Sequence, residues 1–125
     1  MFVTTAVLDF VEVFKYRAFA GALVDELFTV HRDCGAVLHG FVVMSHHIHL
    51  MSRLPPEADV GAFVRRFKYL SARRIRRALG EEIEREFDHQ RGLNGRAFWQ
   101  RSFRSVIVDK EKFFLQKLRY ITRIR

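Results

Sequence analysis

Strand-like and helix-like segments alternate in the order strand, helix, strand, strand, helix, strand, with one more helical segment after them. That order predicts an α+β fold of the split βαβ, ferredoxin-like kind. The expected architecture is an antiparallel sheet with helices on one face and an added C-terminal helix. Three observations carry the prediction: two helical apolar stripes, a β-rich run before each of them, and two adjacent strand-type runs joined by a very short polar link.

Each element follows from local chemistry. Phe2 to Phe10 mixes Val, Thr, Phe and Leu, a strand-type composition. Arg17 to Cys34 reads as a helix, because Leu23, Leu27 and Val30 recur at helical spacing beside Phe19 and Phe28, and Gly35 stands where a helix C-terminal glycine belongs. Val37 to Met44 is a second strand; Ser45-His46 suits a tight reversal; His47 to Arg53 alternates as a third strand. Pro55-Pro56 interrupts the chain. Asp59 to Leu79 is the longest predicted helix, with Val60, Phe63, Val64, Phe67, Leu70, Ile75 and Leu79 as its apolar stripe and Gly80 at its end. Glu81 to Phe87 reads as a short acidic helix and Arg91 to Arg96 as a loop around Asn94-Gly95. Phe103 to Val108 is the fourth strand. Asp109 can cap the last helix, which places Phe114, Leu118 and Ile121 on one face. No repeat, low-complexity tract or linker divides the chain, so residues 1–125 read as one domain.

Composition narrows the function. The 125 residues carry 22 Lys and Arg against 14 Asp and Glu, a net charge of +8, and the basic residues are clustered. A globular chain this basic has polyanions, nucleic acid first, as its natural partners. Cys34 is the single cysteine, which excludes an internal disulfide and fits a reducing, cytoplasmic setting; at the end of a helix it reads as a small packing residue. No signal peptide is legible at the N-terminus, and no apolar run approaches the ~18 residues of a membrane span.

The sharpest local feature is His46-His47-Ile48-His49-Leu50. Strand alternation puts His47 and His49 on one side and Ile48 and Leu50 on the other, so two imidazoles face one way from a strand anchored in the core. Such a pair makes two arms of a metal site, or a coincidence on a surface strand. Alternation turns His46 away, so it reads as a turn residue. His31, His39 and His89 stand alone and read as structural or surface residues.

The block Val43-Met44-Ser45-His46-His47-Ile48-His49-Leu50 resembles the signature of the HUH-type single-tyrosine transposases, the family of insertion-sequence and REP-associated tyrosine transposases. Phe2-Val3-Thr4-Thr5 resembles that family's first strand, Phe67 to Arg74 its basic helix, Phe98 to Phe103 its Trp-Gln block, and Arg119-Tyr120-Ile121 the block that holds its nucleophile. The resemblance implies that His47 and His49 hold a divalent cation, Mg²⁺ or Mn²⁺. It also implies that Tyr120 attacks a phosphodiester of single-stranded or hairpin DNA, forming a 5′-phosphotyrosine and freeing a 3′-OH. A phenol, with an ordinary pKa near ~10, needs such help at neutral pH. On its own Tyr120, beside Leu118 and Ile121, reads more readily as a half-buried structural residue, and the resemblance makes it the nucleophile. Tyr16 and Tyr69 are the other tyrosines, the latter among arginines. Ile124 stands where the family often has Asn or Gln completing the metal shell, and His46 where it commonly has Asn or Asp.

Arg65, Arg66, Lys68, Arg73, Arg74, Arg76 and Arg77 crowd one stretch with no acid among them, an electrostatic footprint for phosphates. Lys68 matches a recurrent family position and is the expected phosphate contact near the site. Trp99, Phe98 and Phe103 beside Arg96, Arg101 and Arg104 form an aromatic–basic cluster suited to stacking unpaired bases, or else Trp99 fills the core edge. A second reading of the whole chain is a DNA-binding module that recognises hairpin repeats without nicking. A third, an RNA-recognition domain, lacks the aromatic it needs where Val43 stands. A homodimer is left open.

Overall fold

The computed structural model describes residues 1–78, 98–101 and 104–106. Strands β1 (Phe2–Ala6), β2 (Val37–Val43), β3 (His47–Arg53) and β4 (Arg104–Val106) form one sheet in the order β2-β3-β1-β4. Every pairing is antiparallel. Helix α1 (Arg17–Cys34) links β1 to β2, and α2 (Val60–Ala78) follows β3. Placing β3 between β1 and β2 splits the βαβ unit, and the ferredoxin-like α+β expectation stands. The expected acidic helix, the Asn94-Gly95 loop and the added C-terminal helix lie outside the described residues.

The element boundaries have local causes. Gly35 ends α1 in the left-handed conformation at φ 70°, and the Ala36 N–H donates to the His31 carbonyl at 2.9 Å. Asp59 caps α2 by accepting the Gly61 N–H at 2.9 Å. Met44 to His47 closes the β2–β3 hairpin, with the Met44 N–H donating to the His47 carbonyl at 2.8 Å. One expectation shifts: β1 stops at Ala6, and Leu8–Phe10 forms a 3₁₀ turn instead of more strand. The reason is topological. Ala6 pairs with His47, the first residue of β3, and beyond it the neighbouring chain turns away into the hairpin.

Alternation sorts the two faces of the sheet. Val3, Ile48 and Leu50 join Phe19, Leu23, Leu27 and Val30 of α1 and Phe63, Val64, Phe67 and Ile75 of α2 in one apolar core. Fully burying each such side chain stabilises by about 1.5–3 kcal/mol. His31 is buried in that core, with Nδ1 2.7 Å from the Leu27 carbonyl and Nε2 2.6 Å from Ser52 Oγ. It is therefore a packed structural histidine. Both helices occupy this face, which leaves His47 and His49 on the opposite one.

Candidate metal and nucleic-acid site

His47 and His49 owe their shared orientation to the pleat of β3, and their setting to its neighbours. In the ladder Ala6 lies opposite His47 and Thr4 opposite His49. The small Ala6 leaves room for an imidazole. Thr4 Oγ1 lies 2.8 Å from His49 Nδ1. Phe2 stacks on the His49 ring with centroids 5.8 Å apart. These contacts aim the His49 Nε2 atom at His47, and the two Nε2 atoms lie 3.1 Å apart.

That separation is informative. Two neutral imidazoles at this distance share a proton or both direct lone pairs at a cation. At that spacing both nitrogens can reach one divalent ion, which His47 and His49 would hold as two of its ligands. When the His49 Nδ1–H donates to Thr4 Oγ1, its Nε2 lone pair is left for the metal, the usual way an outer hydroxyl or carbonyl orients a ligating histidine. Burial, then the adjacent His47, push His49 down to about 4, while burial, then His46, lower His47. Both rings are thus chiefly neutral at pH 7, the protonation state in which a histidine ligates a metal. The donor set fits a divalent cation as two of its ligands; among the described residues no third His, Cys, Asp or Glu converges with them.

His46 departs from expectation. It sits in the turn, but its Nδ1 lies 3.1 Å from His47 Nδ1 and the ring centroids are 4.7 Å apart. Strand alternation governs only strand residues, so the reversal brings this ring back to its neighbour. Its contact is with the Nδ1 side of His47, away from the paired Nε2 atoms. Tyr120 and Ile124 lie outside the described residues.

The basic helix presents a second surface. Arg65, Arg66, Arg73, Arg76 and Arg77 are exposed on α2, with Tyr69 at 65% exposure among them. Because α2 packs on the core face, this row and the histidines lie on opposite sides of the sheet. Three expected DNA contacts have protein partners. Arg74 Nε lies 3.1 Å from Glu26 Oε1 of α1, so the compensating acid absent from α2 itself comes from the other helix. Lys68 Nζ donates to the Gln100 carbonyl at 2.5 Å and to that of Arg101 at 3.4 Å, which ties α2 to the segment before β4 and half-buries the ammonium. Burial lowers its pKa. Trp99, expected to stack on unpaired bases, is 5% exposed. Its N–H donates to Ser71 Oγ at 2.9 Å, and its ring packs against Phe14, Phe67 and Phe98. The indole is part of the core, the alternative to base stacking that the sequence left open for it. Arg101 is exposed. Sequence reasoning missed Thr4 and Glu26, whose roles depend on partners 45 and 48 residues away.

The fold is a ferredoxin-like sheet that carries a His-hydrophobic-His strand on the face opposite its two described helices. The sequence matches the family model "Transposase IS200 like" over residues 9–123, and the chain belongs to that family. Among solved structures it is similar to a protein of Deinococcus radiodurans R1 assigned as a transposase, at 25% identity and a TM-score of 0.67, covering 98% of this chain and 87% of that one. It is also similar in fold to a REP-associated tyrosine transposase bound to a REP hairpin, at 21% identity and a TM-score of 0.57, covering 96% of this chain and 62% of that one. No curated protein matches the sequence. No helix among the described residues is long and apolar enough to cross a membrane.

Proposed function

We propose that this transposase nicks and rejoins single-stranded or hairpin DNA through a 5′-phosphotyrosine, with Tyr120 as nucleophile and His47 and His49 as ligands of Mg²⁺ or Mn²⁺. The observation that carries the reading is the pair of neutral imidazoles whose Nε2 atoms converge at 3.1 Å on a rigid central strand, in a chain of the IS200-like family. The hairpin held by the REP-associated relative supports DNA as the partner.

A bound divalent ion supplies charge neutralisation at the scissile phosphate and lowers the barrier to attack by a phenol. His47 and His49 would hold it, and the Thr4 hydroxyl would keep the His49 ring in the ligating tautomer. In the nicking step a bond forms between the Tyr120 oxygen and phosphorus, and the bond from phosphorus to the 3′ oxygen breaks. The phenolic proton is lost and the leaving oxygen gains one as the 3′-OH. Attack by another 3′-OH reverses the step and joins new ends, and the retained phosphoester makes a nucleotide cofactor unnecessary. Arg65, Arg66, Arg73, Arg76, Arg77 and Arg101 would contact phosphates away from the reacting atoms.

The test is a covalent-adduct assay with a labelled pool of single-stranded and hairpin oligonucleotides plus Mn²⁺, resolved under denaturing conditions. Wild type should form an adduct that is lost in Tyr120→Phe and His47→Ala, while DNA binding survives in both. An adduct that persists in Tyr120→Phe moves the nucleophile elsewhere. A gel shift with no adduct in wild type replaces the enzyme with a hairpin-binding module.

A further inference from the structure

Among the described residues, Phe10 is the non-glycine residue with positive φ, at 56°. A side chain in the left-handed region is strained, and such strain persists only where surrounding structure holds it. Here the hold is visible: the Phe10 N–H donates to the Val7 carbonyl at 2.9 Å, the Val7 N–H to the His46 carbonyl at 2.8 Å, and the Leu8 N–H to the Phe98 carbonyl at 2.9 Å. The outcome sets Phe10 apart from most described phenylalanines. Phe2, Phe14, Phe19, Phe63, Phe67 and Phe98 are buried, whereas Phe10 is 56% exposed. Phe28, also exposed, packs edge-on against Phe41 of β2.

The neighbour of Phe10 is the imidazole cluster. Its ring meets His46 edge-on with centroids 5.3 Å apart, His46 lies 4.7 Å from His47, and His47 4.8 Å from His49. Four aromatic rings thus run in a row from an open hydrophobic face to the candidate metal ligands. An exposed aromatic face takes a flat, apolar-faced partner, and in a chain of net charge +8, beside imidazoles that would hold a phosphate-binding cation, that partner is a nucleobase. The base must be unpaired, because a base inside a duplex has both faces covered by its neighbours.

We propose that Phe10 is a stacking platform for an unpaired nucleobase close to the phosphate held at His47 and His49, so that this end of the site selects single-stranded over duplex DNA. The inference rests on the DNA-processing reading above, and the 3₁₀ turn supplies the rigidity that stacking needs.

The test is fluorescence anisotropy with a labelled mixed-sequence single strand and its duplex, in EDTA, so that neither metal nor chemistry enters. Phe10→Ala should weaken single-strand binding by about tenfold, the effect of losing one base–aromatic stack, and leave duplex binding unchanged. Phe10→Tyr should bind like wild type. Phe10→Trp should gain an emission that the single strand quenches. Thermal melting should show Phe10→Ala folded, since alanine meets the same positive φ. Equal single-strand affinity of wild type and Phe10→Ala overturns the proposal and leaves the transposase reading intact. So does an equal loss on single strand and duplex. A wild type that binds neither DNA overturns both.

Discussion

Thr4→Val separates a metal-orienting hydroxyl from a merely structural one. The substitution is nearly isosteric, and Val is as well suited to a strand as Thr. It removes the oxygen 2.8 Å from His49 Nδ1. Loss of one neutral hydrogen bond costs about 1 kcal/mol, which for a domain of this length lowers Tm by roughly 4 °C. The effect on metal should be larger than that modest figure suggests. With the hydroxyl gone, the His49 ring can turn and place its proton on Nε2, and losing such an outer partner costs about 10–100-fold in metal affinity. Titration calorimetry with Mn²⁺ measures the affinity, and melting with and without Mn²⁺ measures the stability. Thr4→Ser, which keeps the oxygen, should restore metal binding. A Thr4→Val protein that melts lower but binds Mn²⁺ as tightly as wild type would refute the tautomer argument.

Three further outcomes follow from contacts already described. Trp99→Phe should cost about 1–3 kcal/mol, from the lost bond to Ser71 and the space left in the core, with no change in DNA affinity; weakened DNA binding at unchanged urea midpoint would contradict its burial. Arg74→Ala should destabilise by about 1–3 kcal/mol, because the Glu26 side chain, 8% exposed, loses its cation. Arg73→Ala, exposed on the same helix, should instead leave the midpoint unchanged and flatten the log–log salt dependence of DNA binding by about 0.7–0.9; equal behaviour of the two variants would remove the distinction. The third outcome concerns acid. His31, His47 and His49 are all lowered, chiefly by burial. Below the unfolded histidine value near 6.5 the unfolded chain binds more protons than the folded one. Stability is therefore full above that pH and declines as pH falls, for His49 down to about 4. Urea midpoints that stay flat or rise between pH 7 and pH 5 would show that these rings are not neutral in the folded protein.

What the sequence determined by itself is whatever depends on neighbours along the chain. The stripe of Leu23, Leu27 and Val30 and the glycine at position 35 delimit α1 as Arg17–Cys34, because periodicity and the left-handed cap act within a few residues. Alternation alone aims His47 and His49 to one side, since the pleat reverses at every residue. The tertiary structure decided what depends on distant partners. Trp99 reads the same in sequence whether it stacks on DNA or on Phe14 and Phe67, and only packing across α2 closes its faces. Arg74 looks like its neighbours until α1 brings Glu26 to it. Thr4 becomes the partner of His49 only when β1 pairs with β3. His46 and Phe10 escape both strand and helix periodicity, so their rings meet through the geometry of two turns that sheet pairing brings together.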